Sequence, residues 1–308
     1  MNKLFASVFL RRHFYLMLMC AALITFLTQP VYADPVFETN AIIDSSDDSL
    51  DQYDPKGPAS SGTIESSVEG WDVGANPDTS GPASAAATAN DAGQGAAYAE
   101  GVFWAGSDQE TISAWASFTE SFTNTTAAAM SFSYSYSLPN PKLLLADYCY
   151  IGETDDPTVT VEFEYELTVD FGGGPDTILS TNAQLVGGMA SHSLTTGGTD
   201  PLAYTAFTTS SNIFGYDFSS LSGMLSSNAD PGQTVIINSY FSTSVTGPGY
   251  ETGGGAYFGD PLDLSANSFS GELTFGQTNA VPLPSALLLF GPGLAGLAGL
   301  KKKFFSET

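Results

Sequence analysis

Residues 158–171 read Thr-Val-Thr-Val-Glu-Phe-Glu-Tyr-Glu-Leu-Thr-Val-Asp-Phe. Apolar and polar side chains alternate through the whole stretch, which is typical of a β-strand with one face on a core and the other in water. A helix would scatter the apolar residues around its surface, because its period is 3.6 residues. The Gly-Gly-Gly-Pro-Asp sequence at residues 172–176 predicts a turn, and residues 177–185 are expected to return as the hairpin partner.

The same alternation recurs elsewhere in the chain. Residues 130–138 interleave large apolar side chains with four serines and end before Pro139. Further strands are predicted at residues 112–122, 234–245 and 269–275, and no long stretch between the termini has helical periodicity. Strands separated by clusters of Gly, Pro, Asn and Asp favour an all-β fold, specifically a two-sheet antiparallel sandwich of the jelly-roll type.

The N-terminal segment has the parts of an export signal: a basic start, an apolar run at residues 14–27, and the cleavage-site sequence Val31-Tyr32-Ala33. We expect a signal helix within residues 1–33, which the export machinery recognises and signal peptidase removes after Ala33. The 14-residue apolar run is shorter than the roughly 20 residues that span a bilayer, so an uncleaved anchor is the weaker alternative. The pair Arg11-Arg12 leaves twin-arginine export open beside the general secretory route.

A second apolar run occupies residues 281–300 and is followed by three lysines. Its length is sufficient for a membrane span. Basic residues beside a span stay in the cytoplasm, which places the body of the chain across the membrane, in agreement with the N-terminal signal. We therefore expect a transmembrane helix at residues 281–303 and a short cytoplasmic tail at residues 304–308.

Three features follow one another in this segment: a proline-containing tetrapeptide, a Gly-rich apolar run and a basic cluster. The residues of the first and the last are Val281, Pro282, Leu283, Pro284, Lys301, Lys302 and Lys303. Their order resembles the PEP-CTERM sorting signal in its V-P-L-P variant. The resemblance implies recognition by an exosortase, a membrane-embedded cysteine transpeptidase, with processing near the tetrapeptide and delivery to the cell surface or the extracellular matrix.

The match is confined to this C-terminal segment and departs from the family pattern in three ways. Leu283 stands where the name-giving form has Glu, the basic residues are all Lys where Arg is usual, and five residues follow them. On hydropathy alone, a simple tail anchor is the alternative.

Acidic residues outnumber basic ones 33 to 8, and six of the basic residues lie in the two terminal segments. Only Lys56 and Lys142 remain between them, so the body has a net charge of about −30. Such a field repels phosphates, which excludes nucleic acid as a partner and disfavours anionic lipid headgroups. Cations and neutral sugars, including surface polysaccharide, are the partners that this charge permits.

Two stretches of the body differ in composition from the predicted strands. Residues 34–58 are rich in Asp and poor in large apolar groups, so we expect a flexible acidic arm ahead of a β-sandwich domain at residues 59–280. Residues 74–101 are rich in Ala, Gly, Ser and Thr. Because alanines alternate there, this stretch is either a pair of strands with small side chains or a disordered segment.

Few chemistries are available for catalysis. After removal of the signal, Cys149 is the only cysteine and His192 the only histidine, which excludes an intrachain disulfide, a zinc site made of histidines and a relay of several histidines. No nucleophile elbow, P-loop, dinucleotide fingerprint or H-E-x-x-H sequence is present. We expect the protein not to be an enzyme, and paired carboxylates for glycoside hydrolysis are the only mechanism left open.

No cofactor is required by the sequence, and calcium is the candidate ligand. Glu162, Glu164 and Glu166 are expected to project from one face of a strand at a repeat of roughly 7 Å, with few basic residues to balance them. Hard divalent cations prefer such oxygen ligands. Further candidate ligands in loops are Asp155, Asp156, Asp260 and Asp263. A plain acidic face in water is the alternative interpretation.

Three classes of function remain. A structural or adhesive component of the cell surface or extracellular matrix agrees best with the sorting signal and the β architecture. A carbohydrate-binding module is the alternative, and it requires exposed aromatic residues, although each candidate is better explained as a core residue. The candidates are Trp71, Trp104, Trp115 and Tyr240. A glycoside hydrolase that uses two carboxylates is the third class.

Overall fold

The computed structural model describes residues 31–44, 52–70, 80–103, 110–147, 158–188, 191–210, 213–247, 252–265 and 267–276. These residues form eighteen β-strands and no helix, and so the described part of the chain holds no helix suited to crossing a membrane. Most of the predicted signal helix and the whole of the predicted transmembrane helix lie outside the described residues.

The strands in chain order are β1 (Val31–Asp44), β2 (Gln52–Tyr53), β3 (Lys56–Ala59), β4 (Thr63–Gly70), β5 (Ser80–Asn90), β6 (Gln94–Phe103), β7 (Glu110–Thr123), β8 (Met130–Leu138), β9 (Lys142–Asp147), β10 (Val159–Asp170), β11 (Pro175–Gly187), β12 (His192–Gly198), β13 (Tyr204–Ser210), β14 (Ile213–Phe218), β15 (Leu221–Ala229), β16 (Thr234–Gly247), β17 (Thr252–Phe258) and β18 (Phe269–Phe275).

The strands form two antiparallel sheets that pack as a sandwich. Sheet A has the order β12-β11-β10-β16-β7-β1-β2, with β3 also beside β1. Sheet B has the order β13-β14-β9-β17-β6-β18-β8-β15, and β5 joins it at β6 with β4 on its far side. Five antiparallel pairs are nested along the chain: β10 with β11 in A, β9 with β14 and β8 with β15 in B, β7 with β16 in A, and β6 with β17 in B.

The stretch with the clearest alternation is a strand, as predicted. It forms β10, whose apolar residues are buried and whose polar residues are exposed or half-buried. The predicted turn follows, with Gly172 and Gly174 at positive φ. Their amide groups donate hydrogen bonds to Oδ1 of Asp170, at 2.6 and 3.1 Å. β11 then returns beside β10 as its hairpin partner, with one shift of register between Leu167 and Thr168.

The other predicted strands are confirmed as well. Residues 130–138 and 269–275 coincide with β8 and β18, and residues 112–122 and 234–245 lie inside β7 and β16. β7 and β16 pair with each other over their full length of 14 residues. They form the centre of sheet A.

Aromatic side chains fill the space between the two sheets. Phe241 is completely buried, and its ring centroid lies 4.8 Å from that of Phe258, 5.8 Å from that of Phe269 and 6.2 Å from that of Phe118. The ring of Tyr165 stacks nearly parallel to that of Phe258, with a centroid distance of 6.0 Å. Such aromatic contacts add to the stabilisation that burial alone provides.

The small-residue stretch forms strands where the structure describes it. β5 and β6 pair along most of their length, and their alternate alanines are buried against sheet A. The reason is steric: a Cβ atom built on Gly95 would lie 2.7 Å from the ring of Phe118 and 2.8 Å from that of Phe241. Small residues in sheet B therefore make room for the large rings of sheet A.

The prediction of a flexible arm at residues 34–58 is wrong for the residues that the structure describes, most of which lie in β1, β2 and β3. β1 pairs with β7, and Phe37, Ala41 and Ile43 are completely buried in the core. Polar residues such as Glu38 take the alternate, outward positions. The high acid content of the stretch hid a period-two pattern whose apolar members are sufficient to hold the strand in the sheet.

β1 also begins before the predicted cleavage site. Val31, Tyr32 and Ala33 pair with residues 121–123 of β7. The hydroxyl of Tyr32 donates a hydrogen bond to Oε2 of Glu120 at 3.4 Å. Cleavage after Ala33 stays a prediction, and it would remove this hydrogen bond together with the first three residue pairs of β1.

Candidate functional site

The outward side of sheet A is a broad polar surface made by the central strands β7, β16 and β10. Their inward residues belong to the core, so every second residue faces solvent. We call this surface the sheet A face. Its residues are Thr111, Ser113, Trp115, Ser117, Thr119, Glu162, Glu164, Glu166, Asn238, Tyr240, Ser242 and Ser244.

Two aromatic residues lie at the centre of this face. Trp115 and Tyr240 are half-buried, and their ring centroids are 6.0 Å apart with the ring planes inclined by 38°. The register brings them together, because Trp115 is opposite Ser242 and Tyr240 is opposite Ser117. The prediction that both are core residues is wrong, because the buried residues of these strands are their neighbours. Trp71 and Trp104 lie outside the described residues.

The hydroxyl of Tyr240 stays protonated at physiological pH. Partial burial raises its pKa, a hydrogen bond with Ser242 acts in the opposite direction, and the charge of Glu164 raises it further. A neutral phenol can donate as well as accept a hydrogen bond. The face therefore combines two aromatic rings with a hydroxyl that suits an uncharged polar ligand.

The three predicted glutamates lie beside the aromatic pair on β10. Glu162 accepts hydrogen bonds from Nε2 of Gln184 at 3.1 Å and from Oγ of Ser244 at 3.0 Å. Glu166 accepts one from Oγ1 of Thr177 at 2.7 Å. Neutral side chains of the neighbouring strands thus solvate these carboxylates, while Glu162 and Glu164 remain exposed.

The loop aspartates serve local turns. Oδ1 of Asp260 accepts a hydrogen bond from the amide of Leu262 at 2.9 Å. Oδ1 of Asp263 accepts bonds from the amide and the hydroxyl of Ser265, at 3.1 and 2.6 Å. Within the described ranges, no three Asp, Glu, His or Cys side chains form a group that could hold a metal ion. Calcium binding stays a prediction. Asp155 and Asp156 lie outside the described ranges.

Asn40 adds a hydrogen-bonding group next to Trp115. It lies on β1, directly opposite Trp115 in the antiparallel register, and is half-buried. Its Oδ1 atom is buried and has no hydrogen-bond partner among the described residues. A buried acceptor without a partner costs free energy, so this position gains from any donor that reaches it.

Sheet B presents two further polar features on its outward side. Tyr98 and Tyr257 stack with ring centroids 6.1 Å apart, and the hydroxyl of Tyr257 donates a 2.6 Å hydrogen bond to Oε2 of Glu100. A shallow cleft of about 350 Å³ lies beside the first half of β18. The cleft is lined by Ala92, Gln94, Ser135, Tyr136, Ser137, Ser270, Gly271 and Glu272. Tyr136 is the one aromatic residue among those that line the cleft.

The single histidine of the predicted mature chain takes part in an aromatic contact. His192 is exposed on β12, and its ring centroid lies 3.9 Å from that of Phe214 and 6.4 Å from that of Tyr216. Cys149 lies outside the described residues.

No family model matches this chain, and neither does any curated protein.

Sequence reasoning missed Asn40 and the aromatic pair of sheet B. Asn40 was hidden in the segment predicted to be an arm. The signal for Tyr98 and Tyr257 is weak, because both faces of β6 carry small residues and the alternation is lost. The phase of β7 does place Trp115 outward, since Ile112, Ala114 and Ala116 share the opposite face.

Proposed function

We propose that this chain is an exported protein of the cell surface or extracellular matrix with a structural or adhesive role. The proposal rests on the export signal up to Ala33, on the resemblance of residues 281–303 to a PEP-CTERM signal, and on the strongly acidic composition. Signal peptidase and an exosortase are its processing partners. The chain is held in the membrane by its C-terminal segment until the exosortase acts, and it is then displayed outside.

The sandwich is proposed to be of the jelly-roll type. The support is the nested order of its strand pairs: β10 with β11, β9 with β14, β7 with β16 and β6 with β17 alternate between the two sheets, and β8 with β15 is a fifth nested pair that extends sheet B. This order results when one long antiparallel hairpin is rolled up into two facing sheets. The remaining strands are then additions to the edges of this framework.

Neutral polysaccharide is the ligand that the sheet A face supports best. The observation that carries this proposal is the half-exposed pair of Trp115 and Tyr240 on an otherwise hydroxyl-rich surface. Sugar rings have an apolar face that can cover an aromatic ring, and hydroxyl groups that can bond to the polar residues around it. The net charge of −25 excludes polyanions, so the polysaccharide is an uncharged one.

Binding without turnover is the function proposed for this face. A glycoside hydrolase needs one carboxyl group that burial keeps protonated near neutral pH. Glu162 and Glu164 are exposed instead. The face has the surface of an adhesin rather than the enclosed acid pair of a hydrolase.

Affinity electrophoresis tests the proposal, with neutral polysaccharide from the surface of the native host set in the gel. The full chain is compared with Trp115→Ala and Tyr240→Ala, and with Tyr204→Ala as a matched control. Tyr204 is also an exposed aromatic, but it lies on β13 in the other sheet. Loss of one ring should weaken binding about tenfold, which corresponds to about 1.4 kcal/mol.

Retardation that Trp115→Ala and Tyr240→Ala each weaken about tenfold and that Tyr204→Ala preserves supports the proposal. Equal loss in all three variants, or no retardation of the wild-type chain, contradicts it. Reducing-sugar release is measured in the same samples, because steady release would identify a hydrolase instead.

A further inference from the structure

Strand β15 ends sheet B, and its outer backbone edge is open among the described residues. Its nine residues pair with β8 in perfect register from Leu221 opposite Leu138 to Ala229 opposite Met130. No bulge interrupts the pairing, and β15 has no other strand partner in sheet B. An edge strand of this kind presents a row of N–H and C=O groups to any extended chain that fits.

Proteins usually protect such edges by shortening them, by bending them, or by placing charges and proline on them. The edge of sheet A formed by β2 and β3 has these protections, because β2 contains two residues and β3 contains Lys56 and Pro58. β13, at the other end of sheet B, has a register shift near its end. β15 is regular and free of charge and proline, and it is longer than these strands and than β12, the seven-residue strand at the other edge of sheet A.

The absence of charge extends beyond the edge strand itself. Neither β15 nor its neighbour β8 contains an acidic or a basic residue, although the whole chain has 33 acidic ones. Two copies of so acidic a protein repel each other at most mutual orientations. The β15 edge is a surface on which two copies can meet without placing like charges opposite each other.

We infer that two copies of this chain associate through their β15 strands and continue sheet B from one copy into the next. In a two-fold antiparallel arrangement centred on Leu225, Met224 of one copy faces Ser226 of the other. Met224 is 67% exposed, and Leu225 is half-buried on the inner side. Pairing therefore adds backbone hydrogen bonds and covers apolar surface on both sides of the strand.

A contact of one strand pair is small, so the association is expected in the micromolar range. It should strengthen when salt is raised from about 20 mM to about 200 mM, because salt screens the repulsion between the two acidic bodies. This inference goes beyond the proposed binding of polysaccharide, since the contact lies on the other sheet from Trp115.

Sedimentation velocity of the full chain tests the inference with Met224→Glu and Met224→Lys. Both variants place like charges close together across the two-fold axis, so each should weaken dimerisation at least about tenfold. Ser226→Glu, on the facing position, should do the same. Gly173→Glu is the matched control, because it adds one charge in the β10–β11 turn, where a side chain has open space.

Dimerisation that rises with salt, falls in all three β15 variants and persists in the control supports the inference. A wild-type chain that remains monomeric at about 100 µM in high salt overturns it. Dimerisation that is unchanged by the substitutions at residue 224 also overturns the inference, because the apolar C-terminal segment would then be responsible. Stronger dimerisation of Met224→Lys than of the wild type would also overturn the inference, because it would indicate a general charge effect.

Discussion

Tyr240 and Phe241 are neighbours that face opposite sides of β16, so replacing each with alanine separates the contribution of the core from that of the sheet A face. Phe241 is completely buried and touches Phe258, Phe269 and Phe118. Removing a buried Phe costs about 3–5 kcal/mol of unfolding free energy. Three aromatic contacts, each worth about 0.5–1.5 kcal/mol beyond burial, place Phe241→Ala at the upper end of that range.

Tyr240→Ala should cost much less. Its ring is half-buried and has one aromatic contact, with Trp115. Loss of that contact and of partial burial amounts to about 1 kcal/mol. The polar residues around it remain in contact with water, so no unsatisfied group is created.

Urea unfolding followed by circular dichroism measures both losses. With a slope of roughly 3 kcal/mol per molar urea, Phe241→Ala should lower the midpoint by more than about 1 M and Tyr240→Ala by about 0.3 M. Equal shifts, or a larger shift for Tyr240→Ala, would refute the assignment of these residues to opposite sides of the strand.

Three further substitutions test the packing and the buried polar groups. Tyr134→Phe should lower the unfolding free energy by about 1 kcal/mol in urea titrations, because it removes the buried 3.1 Å hydrogen bond to Ser239 and leaves that hydroxyl without its partner. Gly95→Ala should cost about 1–3 kcal/mol by the same measurement, since the new methyl group would meet the ring of Phe118. Burial raises the pKa of Glu120 above its ordinary value of 4.5, so the stability that Glu120 contributes is fully present below that pH and is lost as the pH rises through the raised pKa. Glu120→Gln should remove this contribution, and melting temperatures recorded from pH 4 to pH 8 should then decline less than those of the wild type.

The strands that could be predicted from sequence are those whose two faces differ. In β10 every inward residue is large and apolar and every outward one is polar, so the period of two is visible without any partner. β8, β7, β16 and β18 share this property to a lesser degree. β5 and β6 do not, because their alanines fit only against the large rings of a facing sheet that the local sequence does not reveal.

The candidate site was predictable in its parts and not in its assembly. The phase of β7 places Trp115 on the polar face, and the phase of β16 does the same for Tyr240. Their contact depends on the register between two strands separated by more than a hundred residues, which no local pattern encodes. Asn40 joins them through β1, whose acidic composition concealed its alternation.

The processing of the chain is tested most directly by the intact mass of the mature protein isolated from its native host. Export and exosortase sorting predict the mass of a chain that lacks the signal up to Ala33 and the segment beyond about residue 281. A protein that retains Lys301, Lys302 and Lys303 with the residues after them would contradict sorting to the surface, and its function would then have to be sought at the membrane.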